Sequence, residues 1–507
     1  MKQFYLKAIV VLLFCIAGGK AIAYDCEVDG IYYNLSKTAN TASVTYKYSN
    51  SSNVSAYTGA CVIPESIIYM GQTYSVTGID GEAFAGCKNM TSIEIPNTVT
   101  TIGSKAFKEC SSLTSIIIPN GVTSIGTEAF MWCSSLTSII IPDGVTSIES
   151  GMFYYCSSLT SVTIPHSVTT IGISAFNGCS SLASIFIPSS VTKIENYAFS
   201  GSAVAKTLVI EDSDVPLKLT GSNYFAGSSL DSVYIGRNLS YDNSPLAGCK
   251  SRFAVMFGPF VTEIGEKLFN SCIIGSVVIP HNVKRIGKGA FLLEWYDKPD
   301  SVVYESIEQM CDIIYEDSYS KPVGTKTIVG GKELTSLEIP VGITSVPDYA
   351  FYGVRLSTIN ITHGVTTIGK YAFNNCEPET IILPNSLTSI GEMGFCSGGS
   401  DGARFSRVIS RIQEPFEIGT NTFSSSKLES MVLYVPFGTK EKYQSTNYWN
   451  RFRSIIEGDP TEIREVHESH SQDADYHDLS GKCLDTPKQG LNIIRMSDGT
   501  VRKVMVK

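Results

Sequence analysis

Residues 111–133 read SSLTSIIIPNGVTSIGTEAFMWC, residues 134–156 read SSLTSIIIPDGVTSIESGMFYYC, and residues 157–179 read SSLTSVTIPHSVTTIGISAFNGC. These segments are consecutive copies of one 23-residue unit. A period of about 20–50 residues indicates a repeat architecture in which each unit buries its apolar face against its neighbours. Further copies are marked by phenylalanine or leucine at positions 84, 107, 199, 225, 246, 269, 291, 351, 373, 395 and 423, which gives about 14 coils.

The composition of the unit predicts a β-rich coil. Ile116 and Ile118 alternate with other residues as in a short strand, and the turn-forming residues 119–121 (Pro-Asn-Gly) end that strand. Val122 then begins a second extended piece, and Phe130 is expected to pack against the next coil. Because one unit cannot bury these side chains alone, the units must stack.

The pattern LxxIxIPxxVxxIgxxAFxxC closely resembles the BspA-type leucine-rich repeat family over roughly residues 60–455. The resemblance is strongest over 86–202, weaker over 203–260 and absent across 292–333. It implies a leucine-rich-repeat solenoid on a bacterial cell surface, notably in Bacteroidetes, and some members of the family are adhesins. The family pattern carries no catalytic residues.

These features predict a β-rich leucine-rich-repeat solenoid of about 14 coils of 22–23 residues. We expect a small β N-terminal cap and a short β C-terminal tail that resembles the end of a type IX sorting or attachment segment. The closing unit should be sealed by Trp449 and Phe452. The expected boundaries are a signal peptide at 1–23, the cap at 24–64, repeats at 65–291, an irregular insertion at 292–333, repeats and the closing unit at 334–456, an acidic linker at 457–475 and the tail at 476–507.

The first 23 residues have the pattern of a secretory signal peptide. Lys2 and Lys7 precede an apolar run over 8–17, and small residues at 21 and 23 predict cleavage before Tyr24. No later stretch approaches 20 apolar residues, so no transmembrane segment is expected. The formal net charge of −9, without a basic run, argues against nucleic acid as a partner. The sequence thus predicts an extracellular or outer-surface location.

The cysteines fall into two groups. Cys133 and its counterparts recur at the repeat period, which suits either a metal or disulfide ladder or a small apolar residue that fills a turn. Ser202 occupies the same position in its coil and favours the second interpretation. Cys26 and Cys61 lie outside the period in a chain expected to be exported, so a disulfide between them is a hypothesis.

One column of strand residues is a candidate ligand surface. The residues between the buried positions of each strand should face solvent, and this column contains Ile117, Ile140, Thr163, Phe186, Tyr234 and Val278. Exposed apolar residues on adjacent coils form a patch of the kind that marks interaction sites. Alternatively, isoleucine at these positions serves only the β ladder.

Two further candidates contain aromatic residues. Trp132, Tyr154 and Tyr155 occupy a variable pair of positions on adjacent coils, where they suit either a binding hot spot or simple stacking along the edge. The insertion at 292–333 is the third candidate, with a poorly ordered bulge as the alternative; its aromatic residues, among many acids, are Trp295, Tyr296, Tyr304, Tyr315 and Tyr319.

Neither catalysis nor a cofactor is expected, because the chain has no phosphate loop, GxSxG or HExxH motif. No metal site is expected either. The leading hypothesis is an adhesin or recognition module for a host matrix protein, a glycoprotein or another bacterium. A non-binding structural spacer and a glycan-binding protein are the alternatives, and the oligomeric state is open.

Overall fold

The computed structural model describes residues 24–47, 57–249, 251–293, 298–396, 406–424, 428, 430–459 and 461, and the backbone of five short strands between 464 and 506. The expected signal peptide lies outside these residues. The chain divides into two compact units, Met1–Leu334 with Pro347–Val354, and Thr335–Val346 with Arg355–Lys507. The fold is a β-solenoid of about 16 turns with almost no helix. The predicted fold class is therefore confirmed, with about two more turns than the repeat marks indicate.

The first unit begins with a group of mainly antiparallel strands. Strands β1 (Cys26–Val28), β2 (Ile31–Ser36) and β3 (Thr41–Val44) pair antiparallel in sequence. Strands β5 (Ser66–Tyr69) and β6 (Gln72–Ile79) form a hairpin, and β6 runs parallel to β3. Tyr57 connects this group to the repeats, because its ring centroid lies 4.7 Å from that of Phe84. The remaining strand of this part of the chain is β4 (Gly59–Val62).

Most of the following coils contribute one long strand and one short strand. The strands are β7 (Met90–Glu94), β8 (Thr101–Ile102), β9 (Ser124–Ile125), β10 (Ser138–Ile140), β11 (Ser147–Ile148), β12 (Ser161–Thr163), β13 (Thr170–Ile171), β14 (Ser184–Ile187), β15 (Lys193–Ile194), β16 (Thr207–Ile210), β17 (Leu217–Leu219), β18 (Ser232–Ile235), β19 (Leu239–Tyr241), β20 (Arg252–Phe257), β21 (Glu263–Ile264), β22 (Ile273–Val278) and β23 (Arg285–Ile286). Long strands pair with long strands and short with short, in parallel, as β14 pairs with β16 and β13 with β15.

The interior of each coil is filled by the residues that define the repeat. Ile116, Ile118 and Phe130 are all buried. Six consecutive phenylalanine pairs stack with ring centroids 5.0–5.7 Å apart, from the Phe84–Phe107 pair to the Phe199–Phe225 pair. The backbones approach so closely that a Cβ on Gly126 would lie 2.4 Å from the Ser104 nitrogen, which explains the glycine there.

The segment predicted to be an irregular insertion instead continues the solenoid. It contains β24 (Ser301–Tyr304), helix α1 (Ile307–Asp312), β25 (Ile314–Tyr315), β26 (Lys326–Val329) and β27 (Lys332–Glu333). Strand β24 pairs in parallel with β22 and β26, and β25 pairs with β23. The prediction was wrong because buried Val302, Tyr304 and Tyr315 fill the core here without the repeat motif.

The second unit has the same construction. Its strands are β28 (Ser336–Glu338), β29 (Ser345–Val346), β30 (Thr358–Asn360), β31 (Thr367–Ile368), β32 (Thr380–Leu383), β33 (Ser389–Ile390), β34 (Arg407–Ser410), β35 (Val432–Val435) and β36 (Ser454–Glu457), with helix α2 (Lys440–Ser445) and a 3-10 turn (Trp449–Arg451) before β36. Trp449 is buried, and its indole donates to the Phe416 carbonyl at 2.8 Å. Phe452 packs against both Phe423 and Trp449, so both expected sealing residues close this end of the core.

The remaining strands form a separate five-stranded sheet. They are β37 (Arg464–Glu465), β38 (Ala474–His477), β39 (Cys483–Leu484), β40 (Gly490–Met496) and β41 (Val501–Val506), in the order β37-β41-β40-β38-β39. Two strands of this sheet thus include residues that we expected to belong to the acidic linker.

Candidate functional site

An apolar column runs across the long strands of the first unit. Ile117, Ile140 and Phe186 are 83%, 71% and 45% exposed, because the residues on either side of each point into the core. We define the apolar column as Ile117, Ile140, Thr163, Phe186, Val209, Tyr234, Met256 and Val278.

Strand register places these residues side by side. Ile140 pairs with Thr163, and Phe186 pairs with Val209. The register continues from Val209 through Tyr234 and Met256 to Val278. A parallel bridge between Ser115 and Ser138 aligns the coils of Ile117 and Ile140, and the Ala183 amide donates to the Thr160 carbonyl between the coils of Thr163 and Phe186. All six column residues predicted from sequence therefore belong to one surface.

Tyr234 is less available for contact than predicted. It is half-buried, and its hydroxyl donates to Asp212 Oδ1 at 2.7 Å. Burial, that hydrogen bond and the Asp212 charge raise the pKa of Tyr234 to about 12. This tyrosine therefore secures the preceding turn as well as lining the column.

The structure adds two residues to the predicted set, Val209 and Met256. Met256 is exposed and pairs with Val278, which is also exposed. Both added residues lie in the region where the repeat phase is interrupted, so no repeat spacing marked them in the sequence. Alternating burial along β16 and β20 is the signal that could have found them.

The surface around the first half of the column carries no charge. From 111–118, 134–141, 157–164 and 180–187, every long-strand segment consists of Ser, Thr, Ala, Leu, Ile, Val and Phe only. The exposed serine column beside it contains Ser115, Ser138, Ser161 and Ser184. This tract is thus apolar at its centre and lined by hydroxyl groups.

The predicted aromatic residues cluster at one edge of the coils. Trp132 and Tyr155 are exposed and Tyr154 is half-buried. The ring centroids of Trp132 and Tyr154 lie 6.5 Å apart, and those of Tyr154 and Tyr155 lie 4.7 Å apart. Lys108 Nζ lies 5.5 Å from the Trp132 ring and pairs with Glu128 at 3.2 Å. We call Trp132, Tyr154 and Tyr155 the aromatic edge.

The repeat cysteines are buried free thiols. Cys133 Sγ donates to the Phe107 carbonyl at 3.1 Å, and Cys156 Sγ donates to the Phe130 carbonyl at the same distance. Burial is the main cause that raises the pKa of Cys179 to about 12, which keeps such a thiol protonated. The position therefore takes a small buried side chain. Ser202 fills it with a bond to the Phe199 carbonyl at 2.9 Å, and Val354 fills it without a donor.

The hypothesised disulfide between Cys26 and Cys61 is not formed in the structure. Both thiols are buried and free. Cys26 lies on β1, which pairs with β2, whereas Cys61 lies on β4, which pairs with β7 in a different sheet. The two cysteines are thus held by separate strand pairs.

The third predicted surface is internal at two of its five aromatic residues, and Trp295 and Tyr296 lie outside the described residues. Tyr304 and Tyr315 are buried, and their hydroxyls accept hydrogen bonds from buried Lys321 at 2.9 and 3.2 Å. Tyr319 is exposed. These contacts make Tyr304 and Tyr315 part of the core, so they are unavailable to a ligand.

Within the described ranges, no group of three His, Cys, Asp or Glu side chains is arranged to hold a metal ion. None of the helices in those ranges combines the length and the apolar character needed to cross a bilayer.

Comparisons with known proteins identify the repeats. The BspA type leucine rich repeat region matches residues 77–206, 169–294 and 325–437, in six copies. A search among curated proteins gave no match. Among solved structures, a leucine-rich repeat protein from Bacteroides ovatus is 23% identical in sequence and has a TM-score of 0.41. The match covers 76% of this chain and 94% of that chain. A T. pallidum leucine rich repeat protein is 29% identical (TM-score 0.34, 40% and 88% covered), and a leucine rich cell surface protein from Faecalibacterium prausnitzii is 27% identical (TM-score 0.32, 75% and 96% covered). Because the family model matches well over half of its length, this chain belongs to the BspA-type leucine-rich repeat family.

Proposed function

We propose that this protein is a secreted or cell-surface recognition protein, an adhesin in the broad sense, that binds a macromolecule through the apolar column. The observation that carries the proposal is the uncharged tract centred on Ile117, Ile140 and Phe186. A soluble surface exposes such side chains at a cost, and contiguous apolar patches tend to mark interaction sites.

The available energy suits a protein partner. Fully burying an isoleucine or phenylalanine contributes about 1.5–3 kcal/mol, so covering the exposed fractions of these three side chains supplies roughly 3–6 kcal/mol. The serine hydroxyls alongside can exchange water for polar groups of the partner at the rim. A partner surface that is apolar at its centre and uncharged at its edge would match this tract.

The proposed location rests on the sequence. The pattern over 1–23 is that of a secretory signal peptide, and the segment 476–507 resembles the end of a type IX sorting or attachment tail, as in Bacteroidetes. Family membership supports a surface role, because some relatives are adhesins. We propose a host matrix protein, a glycoprotein or a component of another bacterium as the partner.

The test compares binding before and after the column is made polar. A variant with Ile117→Ser, Ile140→Ser and Phe186→Ser should lose about 100-fold in affinity, which corresponds to roughly 2.7 kcal/mol. Binding would be measured by surface plasmon resonance against immobilised matrix and plasma glycoproteins and mucin, and by adhesion to bacterial cells. Circular dichroism would establish that the variant is folded.

Ile314→Ser is the matched control, because Ile314 is an exposed isoleucine on the short strand β25. It makes the same chemical change away from the column and should leave binding intact. Equal binding by the triple variant and the unmodified chain would reject the column as the site. Absence of binding to every partner would instead favour a structural spacer.

A further inference from the structure

The aromatic edge occupies a backbone position that usually takes glycine. The residue two places after the repeat phenylalanine or its leucine equivalent, which we call the edge slot, has a positive φ in eleven of the described coils, from Gly86 to Asn375, but not at Leu293 in the coil of Phe291. Glycine holds the edge slot at 86, 178, 201, 227, 248 and 353, and Glu109, Ser271 and Asn375 hold it elsewhere. Trp132 (φ 60°) and Tyr155 (φ 57°) place the largest side chains in it, on adjacent coils.

A bulky residue with this backbone conformation is uncommon, because its Cβ crowds the carbonyl oxygen. Neighbouring coils show that the fold does not need a side chain here. Tyr197, Tyr349 and Tyr371 also take a positive φ, at a different position of the coil. What distinguishes Trp132 and Tyr155 is that two exposed aromatic side chains lie in the same slot of adjacent coils, where glycine suffices for folding. The backbone holds both residues firmly, since the Trp132 amide donates to the Tyr154 carbonyl and the Tyr155 amide to the Asn177 carbonyl, each at 2.8 Å.

The Tyr155 ring packs against the backbone of the next coil. A Cβ built on Gly178 would lie 3.0 Å from Cγ and Cδ2 of the Tyr155 ring. The ring therefore lies directly over the backbone of a glycine. In the coils beyond Gly178, glycine leaves the edge slots at 201, 227 and 248 without a side chain, so no edge-slot side chain covers the aromatic edge on that side.

Nearby charges are balanced, which favours a neutral ligand. Lys108 is paired with Glu128, and Lys88 is paired with Glu109 at 3.4 Å. The Trp132 ring already has the Lys108 ammonium group over it, which disfavours a cationic ligand at the same ring. The ion pairs nevertheless offer donors and acceptors beside the rings.

We infer that the aromatic edge binds a neutral carbohydrate, with the apolar C–H face of a pyranose ring packed on Trp132 and Tyr155 and its hydroxyl groups hydrogen-bonded to Lys108 and Glu128. Rings on adjacent coils, spaced by about 4.8 Å between strands, suit consecutive sugars of one chain. Small numbers of polar groups placed beside aromatic walls are typical of such sites. This site is independent of the apolar column.

The experiment titrates the full-length chain with each probe and detects binding by saturation-transfer NMR. Cellohexaose and maltohexaose are the neutral probes, and a heparin hexasaccharide is the anionic probe. We expect saturable binding of at least one neutral probe. Trp132→Gly and Tyr155→Gly should each weaken it about tenfold or more. Because glycine is the commonest residue in the edge slot, both variants should fold.

Ser271→Gly is the matched control, since Ser271 has a φ of 57° in the same slot of a distant coil, and it should bind as the unmodified chain does. The triple serine variant of the apolar column should also bind the sugar normally, which separates failure of this inference from failure of the proposed function. The inference is overturned if neither neutral probe saturates up to about 10 mM, if Tyr155→Gly binds unchanged, or if only heparin binds.

Discussion

Replacement of Phe130 by alanine should be among the most damaging changes in the first unit. The Phe130 ring is fully buried, and its centroid lies 5.3 Å from that of Phe107 and 5.5 Å from that of Phe153. Deleting a buried phenylalanine costs about 3–5 kcal/mol through lost transfer energy and the remaining cavity. Two ring contacts, each contributing roughly 0.5–1.5 kcal/mol, place the expected loss at the upper end of that range.

The loss should also be localised. Stability of a solenoid is approximately a sum of terms between neighbouring coils, and Phe130 contributes to the terms on both of its sides. The Phe107 amide donates to the Ala129 carbonyl at 2.8 Å, and the Phe130 amide donates to the Met152 carbonyl at 2.9 Å. Weakening these coils should therefore expose the amides of 101–156 to exchange before those of more distant coils.

Native-state hydrogen exchange read by mass spectrometry would measure both effects. Phe130→Leu is the control, because it retains most of the volume and should cost less than about 1.5 kcal/mol. A loss below about 1 kcal/mol in Phe130→Ala would contradict this account of the core. Uniform loss of protection over the whole unit would contradict the nearest-neighbour interpretation.

Three further predictions concern stability. Arg237 is buried and donates to the Pro188, Ser189 and Val191 carbonyls at 2.7–2.9 Å. Arg237→Gln should therefore lower the free energy of unfolding by about 3 kcal/mol, measured by denaturant unfolding. A loss under about 1 kcal/mol would refute this prediction. Burial raises the pKa of the Cys179 thiol to about 12, against about 8.5 for an unfolded thiol. The stability that the protonated thiol contributes is therefore complete below about pH 8.5 and is lost as the pH rises toward about 12. The melting temperature should fall between about pH 9 and 11, and an unchanged melting temperature would count against this prediction. Trp132→Gly should change the free energy of unfolding by less than about 1 kcal/mol, because relief of backbone strain offsets the lost ring contacts and the added chain entropy; a larger calorimetric loss would show that the ring is needed for folding.

Much of the fold could be predicted because each regular coil carries its own markers. The alternation around Ile117 and Ile140 correctly indicated both the buried residues and the outward column. The coil over 298–334 could not be found in this way, since Tyr304, Tyr315 and Lys321 fill its core with polar-tipped side chains that resemble surface residues. Strand pairing through the backbone, which carries no side-chain signature, holds that coil in the sheet.

The candidate site shows the same division. Spacing alone located Trp132 and Tyr155, and the glycines that hold the same slot at 86, 178 and 201 are the signal that could have indicated their positive φ. How the two rings lie depends on contacts with neighbouring coils, which one repeat does not show. The hydrogen bond between Tyr234 and Asp212 was also invisible, since it joins residues 22 positions apart across two coils. Interactions between coils, rather than within one repeat, therefore decide which exposed side chains are available.

The edge slot has a consequence for how such a protein can diversify. Its backbone geometry is the same whether it carries glycine, glutamate, serine, tyrosine or tryptophan. A mutation there changes the displayed side chain without repacking the interior, and most of the described coils offer one such position at an interval of about 4.8 Å. The solenoid thus provides a linear array of interchangeable positions, in which a new specificity can arise by single substitutions while the stacked phenylalanines remain untouched.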